Sequence, residues 1–260
     1  MSEPRFHPPP RAALVTGAGT RIGRAIALDL GRRGWDVAVH YRSSAGEADA
    51  VVAEIAASGG RAAALRADLR NETETAGLVP AATAALGPLG LLVNSAAVFF
   101  MDTAADATRE SWDDHIETNL RAPLVLIQAF AAALPDDTAG NVVNIIDQRV
   151  WNLTPYFLSY TVSKAGLWTL TQTLALALAP RIRVNAIGPG PTLRSPRQSE
   201  EQFARHWDSL PLRRPTDPAE IAEAVRFIVS APALTGQMIA LDAGEHMAWA
   251  QPKRGFVPDE

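Results

Sequence analysis

Apolar runs alternate with helical patterns along almost the whole chain, and this rhythm restricts the fold more than any single motif does. Residues 12–15, 37–41, 62–67, 91–93, 142–146, 182–187 and 238–241 read as strands. Helical segments lie between them, near 22–33, 46–58, 72–86, 109–133, 158–179 and 218–229. Strands and helices in strict alternation imply a parallel sheet wrapped on both faces. The expected fold is α/β, a single-domain, doubly wound, Rossmann-like parallel sheet with helices on both sides. Ligands of such sheets gather beyond the carboxyl ends of the strands, where Gly17, Asp68, Asn94, Asp147 and Gly188 fall.

With 260 residues, 47% of them hydrophobic, the chain can bury one α/β core but not two enzyme domains. That domain is expected over about 11–250, preceded by a disordered Pro-rich tail at 1–10 and followed by a loose tail at 251–260. The connection at about 188–217, rich in Pro and Arg, reads as a binding loop or lid. A net charge of −4 with scattered arginines leaves no stripe for nucleic acid. The absence of cysteine removes disulfides, thiolate nucleophiles and zinc-finger sites, and no metal site is expected. The first ten residues lack the apolar stretch of a signal peptide, and Leu167–Ala179 is too short and too interrupted by Thr and Gln to span a membrane. These features suit a cytoplasmic enzyme acting on small molecules.

Leu14-Val-Thr-Gly-Ala-Gly-Thr-Arg-Ile-Gly23 follows the first strand and opens a helix with Ile22, Ile26 and Leu30 on one face. Glycines there let backbone approach a pyrophosphate, and the helix N-terminus supplies free N–H groups and partial positive charge. Arg21 stands where glycine would be the easier loop residue; its guanidinium can reach the pyrophosphate or a substrate group, or lie in solvent. At the end of the second strand, His40-Tyr41-Arg42-Ser43-Ser44 offers no carboxylate for two ribose hydroxyls. Arginine flanked by hydroxyls instead suits a 2′-phosphate, which favours NADPH/NADP+ over NADH. Asp68 ends the third strand and can accept from an adenine amino group or cap the next helix.

With Asn94-Ser-Ala-Ala97, Asn119, Tyr160-x-x-x-Lys164 and Arg183-Val-Asn-Ala-Ile-Gly-Pro-Gly190, these motifs resemble the short-chain dehydrogenase/reductase family over about residues 11–244. The resemblance implies that Tyr160 is the general acid, that Lys164 binds the nicotinamide ribose and lowers the tyrosine's pKa, and that Asn119 holds a proton-relay water. It also implies a cofactor site made of Gly17, Thr20, Arg21, Ile22, Tyr41, Arg42, Ser43, Ser44, Asp68, Leu69, Asn94, Ser95, Ala96, Lys164, Pro189 and Gly190. The physics agrees with the catalytic pair: residues i and i+4 share a helix face, and an ammonium beside a phenol favours phenolate.

Two departures narrow the resemblance. Arg21 replaces the middle glycine of the loop, and Asp147 stands where the family has its catalytic serine. Both look like the pteridine reductase branch, as does the His-Tyr-x-x-Ser stretch. Phe99, five residues after Asn94, falls where that branch stacks a pterin against nicotinamide; the alternative is core packing beside Phe100. A carboxylate accepts hydrogen bonds where serine donates, so Asp147 suits a cyclic imine with ring N–H and amino donors better than a ketone. The expected substrate site is Arg21, Phe99, Asp147 and Tyr160, for a pteridine or folate, and Asp147 is expected to be catalytic as well, orienting Tyr160 or joining it in the proton transfer. The rivals are a short-chain reductase of an unrelated carbonyl or imine, and a non-enzymatic NADP-binding sensor. Arg194, Arg197 and Arg205 in the loop after Gly190 suit an acidic substrate tail or simple solvation, and Trp151 and Tyr156 are expected near the pocket mouth. The apolar surplus of 109–133 and 158–179 suits a homotetramer or dimer.

Overall fold

The computed structural model describes residues 6–247. Its strands are β1 (Ala12–Val15), β2 (Asp36–Tyr41), β3 (Ala62–Arg66), β4 (Leu91–Asn94), β5 (Gly140–Ile145), β6 (Ile182–Pro189) and β7 (Met238–Leu241). All pair in parallel, in the order β3-β2-β1-β4-β5-β6-β7. The order reverses between β1 and β4, which opens a crevice at their carboxyl ends. The helices are α1 (Arg21–Arg32), α2 (Ala45–Ala57), α3 (Glu72–Leu86), α4 (Arg109–Ile116), α5 (Ala122–Ala133), α6 (Leu158–Leu178), α7 (Glu200–Asp208) and α8 (Pro218–Ser230).

The apolar runs are continuous because the central strands are covered twice. Along β1, Ala13 and Val15 face a core built with Ile26 and Leu30 of α1, Val51 and Ile55 of α2, and Ile221 and Val225 of α8. Ala12 and Leu14 face the opposite core, with Leu78 and Val79 of α3 and Leu126 and Phe130 of α5. Period-two alternation therefore divides one run between two layers. Burying each such Leu or Ile contributes about 1.5–3 kcal/mol.

The expected helix 109–133 is continuous, with a π-helical turn, Glu117–Arg121, between α4 and α5 that carries Asn119. Two expectations change. The substrate loop contains α7, whose Ser199 and Gln202 form a reciprocal capping box. Part of the Pro-rich leader is bound, not loose: His7 donates its N–H to the Asp137 carbonyl at 2.7 Å and accepts from Ala139 N–H at 2.9 Å. Residues 1–5 and 248–260, including the expected C-terminal tail, lie outside the described part. No helix among the described residues is long and apolar enough to cross a membrane.

Candidate active site

Beyond β1 the chain must turn sharply into α1, and two glycines make this possible. Gly17 has φ +65°, and a Cβ there would come within 3.0 Å of the Ala96 backbone. A Cβ on Gly23 would lie 2.3 Å from the Gly17 carbonyl oxygen. Thr16 ties this turn to the end of β4, its hydroxyl accepting from Ser95 N–H at 2.9 Å and Ala96 N–H at 3.0 Å. His40, fully buried, braces the turn from the other side. Its Nδ1 accepts from Gly17 N–H at 3.1 Å, which leaves Nε2 to donate to the Ala67 carbonyl at 3.1 Å. Burial holds this imidazole neutral, with its pKa lowered to about 4.

Arg21 has φ +52°, the left-handed conformation that glycine adopts freely. Its guanidinium crosses the cleft and donates to the carbonyls of Leu193 at 2.9 Å and Arg194 at 3.0 Å. Arg21 thus fastens the substrate loop over the glycine turn.

The other expected cofactor residues divide into two groups. Thr20, Ile22, Ser95, Ala96, Lys164, Pro189 and Gly190 line the same cleft as Gly17 and Arg21. Tyr41, Arg42, Ser43, Ser44, Asp68 and Leu69 lie outside it, beyond the ends of β2 and β3. Ser44 still reaches the glycine turn, its hydroxyl 3.2 Å from where a Cβ of Gly19 would stand. Asp68 does not cap α3; Asn71 does, accepting from Thr73 N–H at 3.0 Å and Glu74 N–H at 3.2 Å. The Asp68 carboxylate instead pairs with Arg70 at 2.7 Å, which holds its pKa down at about 2, and Arg42 adds to that effect. Leu69 turns its side chain into the core. Asn94 is buried within the sheet, donating to Asn144 Oδ1 at 2.8 Å.

Asp147 follows β5 and caps the short 3₁₀ turn Gln148–Val150. One carboxylate oxygen accepts from Arg149 N–H at 2.7 Å, and the other accepts from the Tyr160 hydroxyl at 2.9 Å. Tyr160 and Lys164 stand one turn apart on α6. Lys164 is buried, donates to the Ile145 carbonyl at 2.8 Å, and lies 5.8 Å from the centre of the Tyr160 ring. Burial lowers its pKa to about 8, opposed by the charge of Asp147. Asn119 is also buried, but its side chain is committed to protein groups: it bonds the Val98 N–H and carbonyl and the Ser163 hydroxyl.

Phe99 faces the cleft, while the neighbouring Phe100 is 41% exposed. The Phe99 ring stacks on Phe157, with centroids 4.7 Å apart and planes 7° from parallel, and meets Tyr160 edge to face at 4.6 Å. The buried Phe157 has φ +57°, so a strained backbone supports this aromatic wall. Phe157 was not expected to take part, because nothing in its sequence context signals a left-handed phenylalanine. The remaining wall comes from Gln148, Arg149, Leu193, Ser195, Gln198, Phe203, His206 and Glu245, enclosing about 400 Å³. His206 pairs with Glu245 at 3.0 Å, joining α7 to the C-terminal turn. Trp151 and Tyr156 do not line the cleft; Trp151 packs on His246, beside Glu245.

Comparison with known proteins agrees with this geometry. Residues 17–246 match the family described as Enoyl-(Acyl carrier protein) reductase. The 3-oxoacyl-(acyl-carrier-protein) reductase FabG of Staphylococcus epidermidis is 33% identical over 242 residues, covering 91% of this chain and 99% of that protein. The chain belongs to the short-chain dehydrogenase/reductase family. Among solved structures of this family, a short chain dehydrogenase from Burkholderia cenocepacia in complex with NADP aligns with a TM-score of 0.84 and 33% identity, over 89% of this chain and 96% of that one. The FolM alternative dihydrofolate reductase 1 of Brucella canis, complexed with NADP, aligns with a TM-score of 0.90 and 48% identity, over 94% and 97% of the two chains. The short-chain dehydrogenase/reductase fold thus explains the buried lysine, the tyrosine and the glycine turn together.

Proposed function

We propose that this protein is an NADPH-dependent reductase of a dihydropteridine or dihydrofolate-like substrate. The observation that carries the reading is the carboxylate of Asp147, which accepts the Tyr160 hydroxyl at 2.9 Å where a carbonyl reductase needs a second donor. The similarity to a dihydrofolate reductase of Brucella supports it, whereas the similarity to FabG supports the broader alternative of a carbonyl substrate.

The residues present fit the cofactor. Gly17 and Gly23 leave no room for a Cβ at those two positions of the turn, and Lys164 and Gly190 border the same cleft, as a pyrophosphate and a nicotinamide ribose require. Arg42, Ser43 and Ser44 would receive a 2′-phosphate, with Asp68 neutralised by Arg70. When bound, NADPH supplies a hydride to a ring carbon of the substrate. The proton that completes the reduction goes from the Tyr160 hydroxyl to the adjacent ring nitrogen. Lys164 lowers the cost of the resulting phenolate, and Asp147 accepts from ring N–H or amino donors, which orients the substrate. Phe99, backed by Phe157, forms one flat wall for a planar ring.

In the same reading the protein is a homotetramer or dimer, with no nucleic-acid or membrane partner. Leu176 is 83% exposed and Val162 42% exposed on α6, apolar surface of a kind that association covers. A turnover screen of oxidised pterins, dihydropterins and dihydrofolate with NADPH tests the substrate class. Reduction of ketones alone would transfer the assignment to the carbonyl alternative.

A further inference from the structure

Between β4 and α4 the chain is tied to helix residues at every second position, and the Phe99 carbonyl also accepts from the Arg197 guanidinium at 2.6 Å. Asn119 bonds both the N–H and the carbonyl of Val98, at 2.9 and 3.0 Å. His115 Nε2 accepts from Phe100 N–H at 3.1 Å. The Asp102 carboxylate accepts from Ser159 N–H at 3.0 Å, from the Ser111 hydroxyl at 3.1 Å and from the Ser159 hydroxyl. Residues 98, 100 and 102 are thereby fastened to one side, with the period of two of an extended chain. Phe99, between two fastened residues, is directed into the cleft.

His115 is the central fastening. It is fully buried, and its two contacts determine its state: Nε2 accepts, so Nδ1 carries the hydrogen and donates to Ser159 Oγ at 2.6 Å. Ser159 in turn donates to Asp102. The imidazole also meets the Tyr160 ring edge to face, 5.8 Å between centroids. Burial lowers its pKa and Lys164 adds a little to this, while the charge of Asp102, a bond to the Ser111 backbone and the charge of Asp114 oppose it.

We propose that His115 is a positioning residue for the substrate. Through the Phe100 amide it sets the height and tilt of the Phe99 ring, and through Ser159 and Asp102 it locks that wall to the start of the helix carrying Tyr160. The inference rests on reading the cleft as a reductase site, but not on the substrate being a pterin.

The test compares His115→Ala, His115→Asn and Ser159→Ala with wild type, each also in a Phe99→Ala background. In His115→Ala the Phe100 amide should exchange hydrogen about tenfold faster or more, and substrate KM should rise about tenfold with kcat changed far less. NADPH affinity should not change, because the glycine turn and Lys164 are untouched. His115→Asn, which keeps a donor and an acceptor, should recover part of the loss, and Ser159→Ala should shift KM in the same direction. In the Phe99→Ala background, adding His115→Ala should change KM no further. Unchanged KM, full additivity with Phe99→Ala, or a parallel loss of NADPH affinity would overturn the proposal. If His115→Ala does not fold, His115→Asn and Ser159→Ala carry the same comparison. The kinetic arm uses whichever substrate the wild type reduces. Turnover of a ketone and no pterin therefore rejects the pteridine reading, while the amide exchange and the Phe99 comparison still judge His115.

Discussion

Tyr160 donates its phenolic hydrogen to Asp147 across 2.9 Å, so the group expected to release a proton is held by one that can only accept it while ionised. The Lys164 ammonium lies 5.8 Å from the ring centre. The ammonium favours phenolate and the carboxylate opposes it, so the two charges act on the tyrosine in opposite directions. A serine in place of Asp147 would exert no such opposing charge.

Removing the phenol tests the proton donor. Tyr160→Phe should lower kcat by about 10²-fold or more, while NADPH binding stays intact, because the ring packing survives and only the hydroxyl goes. Near-normal turnover, measured under saturating NADPH, would assign the proton to another acid or favour the sensor alternative.

Cofactor choice rests on Arg42 with Ser43 and Ser44. NADPH should be preferred over NADH by about tenfold or more, equivalent to about 1.4 kcal/mol, and Arg42→Ala should erase most of that difference. Dissociation constants for both cofactors, in both proteins, decide the point.

His40 gives the fold a defined acid sensitivity. Its folded pKa of about 4 lies below the ordinary 6.5, so between these values the unfolded chain binds more protons. Its contribution is complete above about pH 6.5, declines as pH falls, and is exhausted below about pH 4. The whole effect is about 3 kcal/mol or less. Urea unfolding followed through this window should show a flatter pH dependence in His40→Gln than in wild type. Equal slopes would mean that His40 is not buried neutral behind Gly17.

Much of the site could be read from the sequence because its chemistry is local there. Gly17 and Gly23 lie in one turn, and Tyr160 and Lys164 are one helical turn apart, so spacing alone brought each set together. Arg21 was identifiable as a misfit in a glycine position, and it does adopt a left-handed backbone. Contacts that join distant elements were hidden. His115, Ser159 and Asp102 come from a helix interior, a helix start and a loop, and each alone resembles an ordinary polar residue. Phe157 is a hydrophobic residue in a conformation its side chain does not favour, so no propensity rule points to it. The α7 capping box, Ser199 with Gln202, was visible, but the surrounding Pro and Arg made the whole segment read as loop. Of the two roles the sequence left open for Asp68, the helix cap is excluded because Arg70, two residues on, takes its carboxylate and Asn71 caps α3.

Association should be detectable in solution. The exposed Leu176 and Val162 predict a dimer or tetramer at micromolar concentration, and Leu176→Lys should weaken it by placing charge in the contact. Light scattering showing only a 27.8 kDa species for wild type would contradict this.

Asp147 is proposed to commit the cleft to a pteridine-type substrate, and turnover of a dihydropteridine and of a ketone by wild type and Asp147→Ser measures this directly. Wild type should reduce the dihydropteridine, and Asp147→Ser should lose about 10²-fold of that activity with NADPH binding intact, while any ketone reduction holds or rises. A wild type inactive on every pterin and folate, with Asp147→Ser improving on a ketone that wild type already reduces, would contradict it.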